Sequence, residues 1–234
     1  QVSALLKQEL AAHEKWTVVL SPFLTVEEAY LLAEAFQNRS PRLVLGPVPV
    51  IGEDDRYPKD VKGNAVDPTK FTIRAEKCPN RAGVEAVLTH LQGSVIPFAD
   101  VAREPLDAVW FAGGYPEAGH AEGGIPADWK APALLVAQDL FPSLVTAAAK
   151  YVLPGTASFE KDGTFVNHAG LAQSFARATR PPVESRTELQ LAYDLLGLKG
   201  LAQAAVVRKD LAASIPGLAA LGGEVPANGV KVGG

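Results

Sequence analysis

Short apolar runs that alternate with helical patterns constrain the fold of this chain more than any other feature. WTVVL (16–20) precedes a helix predicted over Val26 to Asn38, and RLVLG (42–46) follows that helix. Thr25 and Glu28 have the spacing of a capping box, which predicts where the helix begins. A strand, a helix and a second strand joined by short connections indicate a parallel sheet covered by helices.

The same alternation continues along the chain. Further strands are predicted at DAVWFAGG (107–114), ALLVAQD (133–139) and KYVLPG (150–155). Another helix is predicted after Asn80, which would be its capping residue, and two more after Arg186. The sequence therefore predicts an α/β fold in three layers, with a mostly parallel, Rossmann-like sheet and helices on both faces.

Some segments lie outside this core pattern. Val2 to Lys15 has the spacing of an amphipathic helix, and the polar stretch from Gly52 to Lys70 is typical of a surface excursion. FTIRA (71–75) predicts a further strand. Residues 215–234 are rich in Gly, Pro and Ala and are expected to form a flexible tail, so that the α/β domain comprises residues 1–214 of a larger chain.

Composition and charge exclude several classes of protein. The chain has 234 residues, 47% of them hydrophobic, which is enough for one substantial core or two modest ones. The net charge of −4, with scattered basic residues, argues against nucleic-acid binding. The longest apolar runs, such as Ala131 to Ala137, are too short to enter a membrane directly. The single cysteine, Cys78, indicates a reducing, cytoplasmic compartment.

Candidate binding residues follow the predicted strands, because ligands of open parallel sheets bind at the carboxyl ends of the strands. The candidate ends are Ser21 with Pro22, the glycine loop that begins at Gly113, Gly114 and Tyr115, the pair Gln138 and Asp139, and the turn of Pro154, Gly155 and Thr156. The carboxylate of Asp139 could accept the paired N–H donors of a guanine or amide edge. Taken singly, each of these ends is more simply explained as an ordinary turn after a strand.

Other kinds of site have weak support. The glycine loop does not match the dinucleotide fingerprint, and no P-loop or Gly-x-Ser-x-Gly elbow occurs. The four histidines are scattered, and only His120 with Glu122 suggests a metal site. Nothing identifies a histidine that would activate Ser158. Cys78 before Pro79 could favour a thiolate at a helix entrance, but a buried, unreactive cysteine is the simpler interpretation.

Residues 133–200 carry a recognisable order of motifs. The strand ALLVAQD is followed by FPSLVTAAAKYVLPG, SFEKDGTFVNHAGLAQ and PPVESRTELQLAYDLLG. This order resembles the nucleotide-binding region of the molybdopterin oxidoreductase superfamily, and the helix after WTVVL resembles the family's Thr-x-Glu-Glu helix. The matching residues are Gln138, Asp139, Phe141, Thr146, Ala147, Ala148, Val152, Leu153, Pro154, Glu160, Gly163, Thr164, Asn167, Gly170, Gln173, Pro181 and Pro182.

The resemblance implies a set of cofactor-binding residues. In enzymes of the superfamily these loops bind a molybdopterin guanine dinucleotide. Carried over to this chain, the implied positions are Gly113, Gly114, Gln138, Asp139, Pro154, Thr156, Glu160, Asn167 and Gln173. No catalytic residue and no metal ligand is implied within this sequence.

Within the superfamily the chain most resembles the large subunit of bacterial NADH:quinone oxidoreductase, that is, respiratory complex I, on segments such as CPNRAGVEAVL and PLDAVWFAGGYPE. That branch implies a scaffold domain without catalysis or a cofactor of its own. Iron–sulfur clusters are then expected in an N-terminal part of a longer chain. The partners would be other subunits of a respiratory complex, which would hold the domain at the cytoplasmic face of the inner membrane.

Two departures from the family pattern favour the cofactor-free interpretation. Leu171 stands where the family has an arginine, and Tyr115 stands where its glycine loop has an asparagine. Two alternatives remain open: part of a catalytic molybdenum or tungsten enzyme such as a formate dehydrogenase or nitrate reductase, and an unrelated α/β nucleotide-binding module.

The polar stretch Leu153 to Gln173 is expected to be structural. Glu160 and Asn167 can bond backbone amides within the loop, and Gly163 is expected to supply a turn before the strand TFV. If the backbone of Gly163 has a positive φ, a β-branched residue there would be strained.

Overall fold

A computed structural model describes residues 2–123 and 125–233. Gln1, Gly124 and Gly234, which belong to the predicted domain, glycine loop and tail, lie outside the described residues. The helices are α1 (Val2–Ala12), α2 (Val26–Phe36), α3 (Arg81–Gln92), α4 (Phe98–Val101), α5 (Ala118–Ala121), α6 (Leu144–Ala148), α7 (Glu188–Leu195) and α8 (Ala204–Ser214). The strands are β1 (Trp16–Leu20), β2 (Arg42–Leu45), β3 (Asp55–Tyr57), β4 (Phe71–Ile73), β5 (Ala108–Ala112), β6 (Leu134–Asp139), β7 (Tyr151–Pro154), β8 (Gly163–Val166), β9 (Leu171–Phe175) and β10 (Val230–Lys231).

The central sheet has five parallel strands in the order β2-β1-β5-β6-β7. The chain moves from β1 outward to β2 and then returns to the other side of β1 as β5. The strand order therefore reverses beside β1, and a crevice forms there at the carboxyl ends of the strands. The predicted α/β fold with a mostly parallel sheet is confirmed.

Apolar side chains of alternate strand residues point to opposite faces of the sheet and form a core on each. Val18, Leu20 and Trp110 belong to one core, which includes residues of α2, α3, α7 and α8. Val19 and Phe111 belong to the other, beside the shorter α4 and α6. All five side chains are buried. The helices on both faces give the three predicted layers.

Two predicted helix caps have different outcomes. At α2 the Thr25 hydroxyl accepts a hydrogen bond from the Glu28 amide, and a Glu28 carboxylate oxygen accepts one from the Thr25 amide, so the capping box is confirmed. At α3 the side chain of Asn80 makes no capping bond. It donates to the Leu24 carbonyl and accepts from the Val166 amide, each at 2.7 Å, and thus joins three elements.

The predicted strand at 71–75 lies outside the central sheet. β4 pairs antiparallel with β3 in a separate hairpin, which belongs to the polar excursion that the sequence predicts. Most residues from 52 to 70 are exposed.

The segment after residue 214 is packed against the domain. Residues 216–222 form a 3-10 helix in which Leu218 and Leu221 are buried. β10 pairs with β9, which also pairs with β8 in a small antiparallel sheet. The expected boundary at residue 214 and the mobility of the tail remain predictions. Within the described ranges, every helix is too short or too polar to cross a bilayer.

Candidate functional site

Glycine at the end of β5 allows close packing against the end of β6. The Gly113 amide donates to the Gln138 carbonyl at 2.8 Å. A Cβ atom at Gly113 would lie 2.5 Å from Cγ of Asp139, which is closer than side chains tolerate. Gly114 has a φ of +76°, a conformation that favours glycine. The structure thus brings together three of the predicted site residues, Gly113, Gly114 and Asp139.

Asp139 is held by backbone amides at this edge. Its Oδ1 atom accepts hydrogen bonds from the amides of Tyr115, at 3.0 Å, and Leu140, at 2.8 Å. The side chain is largely buried, and burial raises the pKa of the carboxyl to about 6 despite these bonds. Asp139 therefore changes its charge in a mildly acidic range rather than near its ordinary value.

A cleft of about 640 Å³ opens beside Asp139, between the ends of β6 and β7. Its wall is mainly apolar, and the side chains of Phe141 and Val152 on its rim are exposed. The cleft-lining residues include Asp139, Phe141, Thr146, Ala147, Val152, Pro154, Gly155, Glu160 and Pro182. One carboxyl group in an apolar cleft can orient a planar ligand that carries N–H donors.

The crevice where the strand order reverses is filled by Tyr115. This side chain is 1% exposed and extends from the end of β5 to the segment after β2, where its hydroxyl donates to the Pro47 carbonyl at 2.9 Å. The ring packs against Phe23, with centroids 5.2 Å apart. A Cβ atom at Gly46 would lie 2.8 Å from the Tyr115 hydroxyl, so the contact requires glycine. Burial raises the pKa of this phenol well above its usual value.

Two predicted site residues point away from the cleft. Gln138 is fully buried, and its Nε2 donates to the Arg186 carbonyl at 3.1 Å. Thr156 is also buried, and its hydroxyl donates to Glu188 at 3.2 Å. Both side chains connect the sheet edge to the segment around α7.

The remaining predicted residues are separated from one another. Glu160 lines the cleft, and its Oε2 accepts a hydrogen bond from the Ala157 amide at 2.9 Å. Asn167 lies in the β8–β9 turn, where its Oδ1 accepts from the amides of Ala169 and Leu171. Gln173 is exposed on β9. The expected bonds of Glu160 and Asn167 to loop amides are therefore present, but Asn167 and Gln173 are not among the cleft-lining residues.

The expectation that glycine is needed at position 163 for a turn is wrong. Gly163 is the first residue of β8 and is not among the glycines with positive φ. A Cβ atom there would lie 2.2 Å from Cγ2 of Thr25, the capping residue of α2. Glycine is needed because strand and helix approach closely, not because the backbone turns.

Sequence reasoning missed a buried ionic cluster behind the cleft. Lys161 Nζ lies 2.8 Å from Glu28 Oε2 and 3.2 Å from Glu188 Oε2. These residues come from three segments that are distant in sequence, so no local motif predicts the cluster. The only signal was the pair of adjacent glutamates at the start of an otherwise apolar helix.

The other candidate groups offer little chemistry. Burial raises the pKa of the Cys78 thiol to about 12, with a further contribution from Glu76, so a thiolate is disfavoured. The Glu122 carboxylate accepts from the Leu144 amide, and His120 lies 3.6 Å from Glu117. Across residues 2–123 and 125–233, no group of three or more His, Cys, Asp or Glu side chains is arranged to hold a metal ion.

The fold and the cleft define a doubly wound α/β domain with a candidate nucleotide site at the carboxyl edge of its sheet. A family profile described as "Molybdopterin oxidoreductase" matches residues 64–197, which is more than half of the chain. This chain belongs to the molybdopterin oxidoreductase family.

Two curated relatives match a shorter part of the chain. Both are the NADPH-Fe(3+) oxidoreductase subunit alpha, from two strains of Geobacter sulfurreducens. Each is 31% identical over 93 residues, which cover 38% of this chain. The match spans only 11% of the length of either relative.

Proposed function

We propose that this domain is a non-catalytic structural domain of a multisubunit electron-transfer oxidoreductase, of the type of the large subunit of bacterial NADH:quinone oxidoreductase. In this proposal the iron–sulfur clusters belong to an N-terminal part of a longer chain. Other subunits of the complex cover the domain and hold it at the cytoplasmic face of the inner membrane.

The observation that carries this proposal is the position of Tyr115. A ligand of a doubly wound sheet binds where the strand order reverses. There the Tyr115 side chain is buried and bonded to Pro47. A ligand lying directly over the end of β1 would have to displace this ring from its core, which would expose a large apolar surface to water. The residues at the crevice therefore do not fit the dinucleotide cofactor of the family.

The use of polar groups within the domain supports the same proposal. Asp139, Glu160 and Asn167 each accept hydrogen bonds from nearby backbone amides. Leu171 presents no charge to a phosphate and pairs in register with Lys231 of β10. These groups stabilise loops that would otherwise leave buried amides without partners.

The relatives support membership of a larger assembly. Each is named as a subunit of an NADPH-Fe(3+) oxidoreductase. The match spans 11% of their length, so most of each relative lies outside the compared region. We transfer to this chain only the role of a domain within a subunit.

A second function is favoured by the cleft beside Asp139. The cleft has the volume of a small-ligand site, and its single buried carboxyl matches the N–H donors of a guanine edge. In this alternative the domain belongs to a molybdenum or tungsten enzyme. Asp139, Gly155 and Glu160 would then hold the nucleotide end of the pterin cofactor, and the cofactor would supply the redox chemistry when bound.

Element analysis of the purified chain tests the proposal. We expect no stoichiometric molybdenum, tungsten or iron, no absorbance in the visible range, and no electron transfer from NADH to an artificial acceptor. A domain refolded with iron and sulfide provides the matched control for iron–sulfur clusters lost during purification. Stoichiometric metal with visible absorbance in either preparation would contradict a structural role and favour the second function.

A further inference from the structure

The cluster of Glu28, Lys161 and Glu188 lies behind the cleft and joins three elements. Glu28 is in the first turn of α2, Glu188 is the first residue of α7, and Lys161 lies in the cleft loop, residues 155–162, just before β8. All three side chains are at most 3% exposed. Thr156, in the loop that contains the cleft residue Gly155, donates to the same Glu188 oxygen that Lys161 contacts. The cluster therefore holds the cleft loop against two helices.

The cluster has an excess of negative charge. Two carboxylates face one ammonium group, so the fully ionised cluster would carry a net charge of −1. Neighbouring charges do not offset it. Glu27 of α2 faces Arg208 of α8 at 3.6 Å, and Asp139 at the end of β6 adds further negative charge.

The remaining charged groups around the cluster lie toward the surface. A cavity of about 380 Å³ next to Glu28 and Lys161 is also lined by Glu160, Asp162, Arg177 and Arg186. Arg186 pairs with Asp194 at 2.9 Å, and Asp162 accepts from the Arg177 amide. None of these contacts supplies a second buried cation to the pair of glutamates.

Two carboxylate oxygens in the cluster have no hydrogen-bond donor within the described part of the chain. They are Glu28 Oε1 and Glu188 Oε1, and both are buried. An ionised carboxylate oxygen without a donor is costly in the interior of a protein. A single bound proton would cancel the excess charge and would turn one of these oxygens into a hydroxyl.

We infer that the cluster of Glu28, Lys161 and Glu188 binds one exchangeable proton and forms a pH-sensitive clasp on the cleft loop, residues 155–162. With the proton bound, one ammonium faces one carboxylate and the clasp is closed. When the proton leaves, the second buried carboxylate repels the first, and the contact between the loop and the two helices weakens. This inference does not depend on whether the cleft binds a ligand.

The electrostatics of each group agree with this assignment. Burial raises the pKa of the Glu28 carboxyl to about 7, although the Lys161 ammonium opposes the shift. Burial alone would lower the pKa of Lys161, but the carboxylates of Glu188 and Glu28 outweigh it and raise that pKa. The ammonium thus keeps its charge while Glu28 releases the proton.

A carboxyl titration by NMR tests the proton. In protein labelled with ¹³C-glutamate, the Glu28 resonance is identified by its loss in Glu28→Gln. We expect a midpoint for Glu28 more than about one pH unit above the ordinary value for glutamate. A Glu28 midpoint within about one unit of the ordinary value would overturn the inference.

Amide hydrogen exchange tests the clasp. Protection of the Gly155, Ala157 and Glu160 amides, corrected for intrinsic rates, should fall severalfold between pH 6 and pH 8 in the parent chain, a window of about one unit on each side of neutrality. Glu28→Gln should abolish this fall, because its cluster keeps one cation and one anion at every pH in the window.

Two further variants keep the exchange test decisive. Glu85→Gln, at a partly exposed glutamate of α3 that pairs with Arg81, should behave like the parent chain. If Glu28→Gln does not fold, Glu188→Gln removes the same excess charge from the opposite helix. Loop protection that is equally dependent on pH in the parent chain and in the glutamine variant would contradict the clasp.

Discussion

The Tyr115 hydroxyl donates a hydrogen bond of 2.9 Å to the carbonyl of Pro47, across the point where the strand order of the sheet reverses. The two residues follow β5 and β2, the strands on either side of β1. One side chain therefore closes the crevice in which ligands of this fold class bind.

Removing the hydroxyl and removing the ring should have different costs. Tyr115→Phe leaves the Pro47 carbonyl without its donor and should lower the free energy of unfolding by about 1–2 kcal/mol. Tyr115→Ala also leaves a cavity between Phe23 and Phe111, and should cost about 3–5 kcal/mol. Urea denaturation of the three proteins measures both differences. Equal midpoints for the parent chain and Tyr115→Ala would mean that the ring does not pack as the structure has it.

A methyl group at position 163 should destabilise the domain. Cγ2 of Thr25 occupies the space that a Cβ atom would need, so Gly163→Ala must push β8 away from the start of α2. We expect a loss of about 1–3 kcal/mol in the free energy of unfolding. Gly119→Ala is the matched control, because no atom lies within 4 Å of the added methyl group. If the two variants unfold at the same urea concentration, strand and helix do not approach so closely.

The turn between β8 and β9 should depend on the side chain of Asn167. Its Oδ1 accepts from two amides of the turn, and Asn167→Ala removes both bonds from a partly exposed site. We expect a loss of about 1 kcal/mol, measured by thermal or urea unfolding. The neighbouring exposed His168→Ala should leave stability unchanged. If the turn served only to bind a ligand, both substitutions would leave the free energy of unfolding unchanged.

The parts of the fold that follow from local pattern could be predicted from the sequence. The strands WTVVL and ALLVAQD are continuous apolar runs, and the capping box of Thr25 and Glu28 is a local signal. Asn80 has the residue type of a cap, yet its side chain bonds to Leu24 and Val166, which lie close only in the folded chain. FTIRA forms a hairpin because its strand, β4, pairs with β3, and the sequence pattern does not specify that pairing.

The candidate site, too, has features that could be predicted from the sequence and features that could not. Its location at the carboxyl ends of β6 and β7 follows from the topology of parallel sheets, and Asp139 lines the cleft there. The direction of each side chain could not be predicted. Gln138 and Asp139 are adjacent, but consecutive strand residues face opposite sides, so only Asp139 lines the cleft. The Lys161 cluster depends on three distant segments, and only the adjacent glutamates at the start of α2 indicated it in the sequence.

Asp139 should make the stability of the domain depend on pH. Its pKa in the folded chain, about 6, is raised above the ordinary value of 3.8. The folded state therefore binds this proton more tightly than the unfolded state, and stability is lost as pH rises through that window. We expect this residue to account for a fall of about 2–3 kcal/mol.

Denaturation across this pH range, compared between variants, isolates the effect. Asp139→Asn keeps an oxygen that can accept the Tyr115 and Leu140 amides but cannot titrate, so its free energy of unfolding should fall less steeply as pH rises. Asp128→Asn, at an exposed carboxylate, should retain the pH dependence of the parent chain. If the free energy of unfolding depends on pH in the same way in the parent chain and in Asp139→Asn, the pKa of Asp139 is the same in the folded and the unfolded chain.

Calorimetric titration of the purified chain with GDP, as a surrogate for half of the family's cofactor, is the most direct measurement of whether this domain is structural. With Tyr115 in the crevice and Leu171 in place of a basic residue, we expect no binding heat that saturates. Asp139→Asn serves as the control, because it removes the buried carboxyl that matches the N–H donors of guanine. A dissociation constant of about 1 μM or tighter, equivalent to about −8 kcal/mol, that is lost in Asp139→Asn would contradict a structural role and show that the cleft binds a nucleotide.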